Sequence, residues 1–295
     1  MLKRTAEHID MPDLCLMPVE ALVLHEHADD KRVARMQARL SADGFLKNPP
    51  IVAPIPGTDR FVVLDGANRT RALEALGCKH ILAQVVDYKS GRVQLLTWHH
   101  LITGKRSINF LKEITGVQGL VLRPLHLKLA RAALADRAIL AYIAVPIADG
   151  PERSAVFTVD GTEGNEHLSA EKSTFLLNAL VDTYKGDSQV SIHRTNSDDL
   201  DDFISYYDDI GGIVVFPPYT PDDILRLAEA GTKVPTGITR HIISHRALRV
   251  NVPVSLMSGS QSLEEKNAWW QDQIRRKLAA NEVRFYQEST YLFDE

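Results

Sequence analysis

One stretch constrains the fold of this chain more than any other: Val62-Val63-Leu64-Asp65-Gly66-Ala67-Asn68-Arg69-Thr70-Arg71-Ala72-Leu73-Glu74-Ala75-Leu76-Gly77. An apolar β-type run ends in Asp-Gly, and an amphipathic helix carrying Arg69 and Arg71 follows at once. The first amides of such a helix lack partners within it and point back at the turn. The helix dipole adds partial positive charge there, and the two arginines add full charges. This arrangement suits a phosphate, with Asp65 placed to face a metal or a second polar group. The plainer alternative is a strand-turn-helix whose arginine pairs on the surface.

At 295 residues the chain exceeds the usual size of one domain, so two domains are expected. A hydrophobic fraction of 44% supports a sizeable core. The net charge of -4 provides no global basic field for nucleic acid. Cys15 and Cys78 form no metal or redox spacing and read as two thiols in a reducing compartment. Met1 to His8 carries no apolar stretch of a secretory signal, and no run is long enough to span a bilayer. A cytoplasmic location is the expectation.

The chain alternates strand and helix patterns. Pro18 to His25 reads as a strand. Asp29-Asp30 open a helix whose apolar positions Val33, Met36 and Leu40 recur at helical spacing, with Gly44 as its C-cap. Strands are expected at 49–53, 60–64, 81–86 and 93–98, and a helix at 106–115. Gly116 to Gly119 marks a boundary, giving domains at 1–118 and 119–295. Beyond it, strands are expected near 120–122, 138–145, 155–159, 190–192 and 211–216. Helices fall near 128–136, 166–185, 198–207 and 262–281. Another starts at Thr220-Pro221, with proline at its first position, and ends at Gly231. A β-type tail, Val283 to Phe293, closes the chain. The fold class is α/β (α+β).

Three constellations can carry chemistry. His25-Glu26-His27 follows the first strand, with Glu26 expected on one face and both histidines on the other. Glu26 is the candidate general base. A His-x-His metal site lacks a third ligand, and an exposed polar loop is the plain reading. Trp98 ends a strand and reads as core or as a surface against a base or small substrate. In Gly231 to Ile243 a Pro/Gly turn delivers Thr239, Arg240 and His241 in succession, an anion-handling loop or a polar hairpin. The acidic run Asp198 to Asp202 reads as a solvated helix start.

Taken in order, these segments resemble the ParB/sulfiredoxin-like superfamily, and within it the free L-serine kinases, archaeal and siderophore-pathway. The resemblance rests on His25-Glu26, Gly44, Pro50-Ile51-Val52 and the turn and helix from Leu64 to Leu73. Val86-Asp87-Tyr88, Trp98, Pro235 and Thr239-Arg240-His241 complete it. It covers about 15–105 and, locally, 230–250. It implies an N-terminal nucleotide-binding domain, a second α/β substrate domain and a cleft between them. Glu26 would take the serine hydroxyl proton. Asp65, Gly66, Ala67, Asn68 and Arg69, with the neighbouring Arg71, would hold the phosphates of ATP or ADP, with Mg2+ on Asp65. Trp98, Thr239, Arg240 and His241 would contact serine or its product. The chain departs from the family pattern at Ala67-Asn68, where the family carries His-His. It departs again at Gly237-Ile238, where the family carries Lys-Thr; Lys233 is a cation close by in sequence.

The function these residues imply is a small-molecule kinase, monomeric or homodimeric, phosphorylating serine or a related hydroxy amino acid. The alternative is a ParB-like nucleotide-sensing or DNA-binding regulator, opposed by the acidic balance. A nuclease or nucleotide hydrolase ranks lowest, because no acidic cluster suits two metals.

Overall fold

The computed structural model describes residues 11–147, 153–162, 164 and 168–286. The first strand pattern is broken in two. β1 (Asp13–Pro18) is followed by a 3-10 turn at Val19–Ala21 and then by β2 (Leu22–Leu24). The first helix, α1 (Asp30–Asp43), begins where expected. Asp29 caps it by accepting from the Arg32 amide at 2.9 Å, and Gly44 ends it at φ 71°. Next come β3 (Phe45–Leu46), β4 (Ile51–Pro54), β5 (Phe61–Asp65), α2 (Ala67–Ala75) and β6 (His80–Val85).

Five of these strands form one mixed sheet in the order β1-β6-β4-β5-β2. Its two edges, β1 and β2, are joined by the three-residue turn alone. Four flat strand spacings amount to roughly 19 Å, beyond the reach of a three-residue link of about 14 Å at full extension. The sheet must therefore curl until its edges approach. This is why Pro18 to His25 cannot continue as one strand.

β7 (Val93–Thr97) leads into β8 (His99–Thr103), a strand the sequence pattern did not separate from it. The change of sheet falls here, at Trp98, rather than at residue 118. α3 (Ser107–Thr115), β9 (Leu120–Pro124), α4 (Leu127–Ala135), β10 (Ala141–Pro146) and β11 (Ser154–Gly161) follow. They are succeeded by α5 (Ala170–Asp182), β12 (Ser191–Thr195), α6 (Asp201–Ile204), β13 (Ile210–Val215) and α7 (Pro221–Glu229). The second sheet is antiparallel, in the order β12-β8-β13-β10-β11-β9. α7 starts at a capping box between Thr220 and Asp223, with Pro221 at its first turn. The acidic run forms only the single turn α6. Asp198 before it is not merely solvated: it takes both forks of Arg131 at 2.7 and 2.8 Å and the Tyr142 hydroxyl at 2.6 Å.

The chain then returns to its beginning. β14 (Thr239–Ile243) pairs with β7, and β15 (Val252–Pro253) pairs with β3. α8 (Val254–Ser258) and α9 (Leu263–Ala279) complete the described elements. α9 covers the outer edge of β1. Asn267 bonds both backbone groups of Leu16, at 2.8 and 2.9 Å, and Trp270 Nε1 donates to the Leu14 carbonyl at 3.1 Å. An edge strand left bare is a template for pairing with other chains. The expected tail is irregular over 283–286, and its remainder lies outside the described residues, as do the turn at 150–152 and the beginning of the helix expected from 166.

One apolar cluster runs through both sheets. Ile51, Ala53, Val62 and Leu64 of the first share a cluster with Ile102, Ile143, Val145 and Val214 of the second, which also includes Tyr88 and Phe216. Among the described residues no helix is long and apolar enough to cross a membrane.

Candidate functional site

A cleft of about 370 Å³ lies at the junction of the two sheets. One wall is the turn from β5 into α2. Gly66 precedes the helix at φ 96°, and a Cβ there would come within 3.1 Å of Pro50 Cα. Glycine is thus demanded both by dihedral and by space. No side chain caps this helix start, so the amides of Ala67, Asn68 and Arg69 have no partner within the helix. Gly66, Ala67, Asn68 and Arg69 all line the cleft. The Asn68 side chain also accepts from the Asp29 amide at 2.9 Å, locking the start of α1 to the start of α2.

Asp65 stands at the end of β5. One carboxylate oxygen accepts from Arg69 at 3.2 Å and from Arg246 at 2.7 Å. Burial pushes its pKa up, but the two guanidinium groups outweigh this and hold it below the usual carboxylate range. Arg69 spends its other terminal nitrogen on the Asn48 carbonyl at 2.7 Å. It therefore fixes the turn as much as it charges the cleft. Arg71 lies outside the cleft lining and pairs with Glu74 at 2.6 Å on the exposed side of α2. It follows Arg69 by two residues, which turns its side chain to a different face of α2.

Glu26 also lines the cleft. It sits beyond the end of β2, bridged to Val234, and its carboxylate accepts from the Gly237 amide at 2.9 Å. His27 also lines the cleft, whereas His25 is 2% exposed and turns inward. The alternation expected of a strand has ended by this point, so the two histidines do not form a pair. The His25 Nδ1 lies 2.6 Å from the Val63 carbonyl, which can only accept. The His25 Nε2 lies 2.8 Å from the Thr239 hydroxyl.

The downstream segment Thr239-Arg240-His241 is built into β14, behind the cleft, not on its lining. His241 donates to the Leu64 carbonyl and takes the Tyr88 hydroxyl at Nε2, 2.7 Å away. Arg240 lies over the Trp98 ring, 4.2 Å from its centre. Trp98, half-buried and outside the cleft lining, donates its amide to the Ile238 carbonyl. These four residues shape the wall that carries Glu26's partner, Gly237.

The sequence reading missed the residues that the second sheet contributes: His100 from β8, Lys185 after α5 and Arg194 from β12, together with Arg32, Arg246 and Thr236. Lys185 donates to the Thr236 hydroxyl at 3.0 Å, which donates to the His27 carbonyl at 3.0 Å. Lys233, near in sequence, lines a separate surface hollow with His27 and Arg71. His100 is 2% exposed, bonds the Gly237 backbone and lies 2.9 Å from the Tyr184 hydroxyl. The one sequence signal for it was its place beside Trp98. Lys185 and Arg194 carry no local motif.

Burial pushes His100 down to about 3, and burial with His25 alongside does the same for His241. Both rings fold as neutral groups. In the unfolded chain they protonate near 6.5, so the unfolded state binds more protons between pH 6.5 and about 3. Stability from these rings is complete above pH 6.5 and is lost as pH falls through that window. The expected slope is about 1.4 kcal/mol per pH unit per histidine at most. Urea midpoints that stay flat between pH 7 and 5 would contradict the neutral assignment.

No protein-family model matches the chain. An ATP-dependent L-serine kinase of Staphylothermus marinus is 34% identical over 119 residues, covering 40% of this chain. That match spans 46% of the relative, so the chain matches about half the length of this curated relative. The ATP-dependent L-serine kinase SbnI of Staphylococcus aureus is 25% identical over 282 residues, covering 96% of this chain and 97% of the relative. A solved free serine kinase in complex with AMP superposes with a TM-score of 0.67 at 18% identity, covering 85% of this chain and 98% of that one. In sequence and in fold, the chain stands close to the free serine kinases.

Proposed function

We propose that this protein is a free amino-acid kinase that moves a phosphoryl group from ATP to the hydroxyl of L-serine. One observation carries the reading: a carboxylate, Glu26, and the open N-terminus of α2 line the same cleft. Phosphoryl transfer needs little covalent help from a protein. It needs aligned reactants, neutralised phosphate charge and an oriented nucleophile. The free amides of Ala67 and Asn68 with the α2 dipole receive phosphate oxygens. Glu26 takes the proton of the acceptor hydroxyl. The Gly237 amide holds that carboxylate by one oxygen and leaves the other to the substrate. Arg32 and Lys185 supply positive charge from the remaining walls.

Asp65 is the carboxylate placed to meet Mg2+. Two arginines occupy one of its oxygens, leaving acceptor capacity on the other. Among the described residues no group of three or more His, Cys, Asp or Glu side chains gathers for a metal. A single carboxylate such as Asp65 suffices for Mg2+, which takes most of its ligands from phosphates and water. When bound, Mg2+ neutralises and orients the transferring phosphates.

The names of the similar proteins support serine as acceptor and ATP as donor, and favour a kinase over a regulator. We place the activity in the cytoplasm, where ATP is abundant. The purified chain with Mg2+, L-serine and either ATP or ADP should yield O-phosphoserine, read by phosphorus NMR. Absence of that product with both donors would overturn the reading.

A further inference from the structure

The cleft contains an arginine with no hydrogen-bond or ion-pair partner among the described residues. Arg194 leaves β12, the edge strand of the second sheet, and lines the cleft beside Glu26, whose charge it feels. Its guanidinium makes no hydrogen bond or ion pair with another described residue. Arg69 commits both terminal nitrogens to the protein. Lys185, the neighbouring cation, uses one of its three donors on Thr236.

What seats Arg194 is Gly237. A Cβ at this glycine would lie 2.4 Å from one terminal nitrogen of Arg194, 2.6 Å from Nε and 2.7 Å from Cζ. Its φ of 80° is also one that side chains rarely adopt. The guanidinium therefore lies flat on bare backbone. Gly237 is itself fixed on two sides, by its amide on Glu26 and by its contact with His100. An unpartnered planar fork, held rigidly next to a carboxylate in a cleft, is built to grip an oxyanion.

We propose that Arg194, seated on Gly237 and assisted by Lys185, binds an oxyanion in the acceptor half of the cleft. The inference rests on the kinase reading above. Two groups share this chemistry: the carboxylate of the amino acid and the phosphoryl group once it is transferred. A guanidinium on a carboxylate selects amino acids over simple alcohols. A guanidinium on the phosphoryl group stabilises transfer to either.

The test uses the full chain with saturating ATP and compares Arg194→Ala and Arg194→Lys on L-serine and on serinol, which lacks the carboxylate. A carboxylate grip predicts that Arg194→Ala raises KM for L-serine roughly 10- to 100-fold. The lysine variant should fall between, and serinol kinetics and KM for ATP should change less than about 2-fold. A phosphoryl grip predicts that kcat falls for both acceptors. Unchanged KM and kcat for both, or a shift of the pH profile alone, overturns the proposal. Gly237→Ala should also raise KM for L-serine by displacing the guanidinium; an unchanged KM would mean that Gly237 does not seat Arg194. Were the wild-type chain inactive, the kinase reading would fail by itself. Calorimetric titration with O-phospho-L-serine would then still decide this one: binding equal in wild type and Arg194→Ala refutes it.

Discussion

Glu26→Gln is expected to lower kcat for serine phosphorylation by roughly 10²- to 10⁴-fold, the range for removing a positioned general base. The substitution keeps the shape of the side chain. The amide oxygen of glutamine still accepts from the Gly237 amide, so the 2.9 Å bond that holds Glu26 survives. Folding and nucleotide affinity should therefore stay near the wild-type values, while proton removal from the acceptor is lost. Measurement of kcat, KM for both substrates and the thermal midpoint separates these effects. Full activity in Glu26→Gln would remove the base from the mechanism. A fall in kcat accompanied by a lower midpoint would instead assign Glu26 to holding the Gly237 turn.

The second large effect concerns stability. Trp270 is 3% exposed and packs with Leu14, Leu16, Leu73 and Ile81. Its Nε1 also closes one carbonyl on the outer edge of β1. Trp270→Ala removes the ring, leaves a cavity and frees that carbonyl, at an expected cost of about 3–5 kcal/mol. The edge of β1 would then stand open toward other chains. Urea unfolding should show the loss in the midpoint, and light scattering should show self-association on mild heating. A midpoint within about 0.5 kcal/mol of wild type would mean that α9 is only loosely docked.

The local elements were legible because their signals are short-range. The Asp29 cap, the Gly44 stop and the Thr220-Pro221 start each act within one helical turn. The Asp65-Gly66 turn declared itself because a helix following a strand through glycine admits few geometries. Glu26 could be picked as a carboxylate after a strand, yet its orientation could not, because strand alternation ends at Leu24. Arg194 and Lys185 were invisible for a different reason. Arg194 reaches the cleft through pairing of β12 with β8 across about ninety residues and Lys185 from the turn after α5, and no local pattern encodes either placement. Thr239, Arg240 and His241 were found, but a motif does not reveal which wall it faces. Their bonds to His25, Trp98 and Tyr88 place them behind the lining.

The apolar cluster that threads both sheets has a consequence for how ligands arrive. Rocking the two halves apart would wet Tyr88, Phe216 and the apolar side chains clustered with them, at a free energy comparable to unfolding part of the molecule. The vestibule is consequently cast when the chain folds and does not swing like a jaw. A ligand enters a mould already set, and solvent leaves because the ligand fills it.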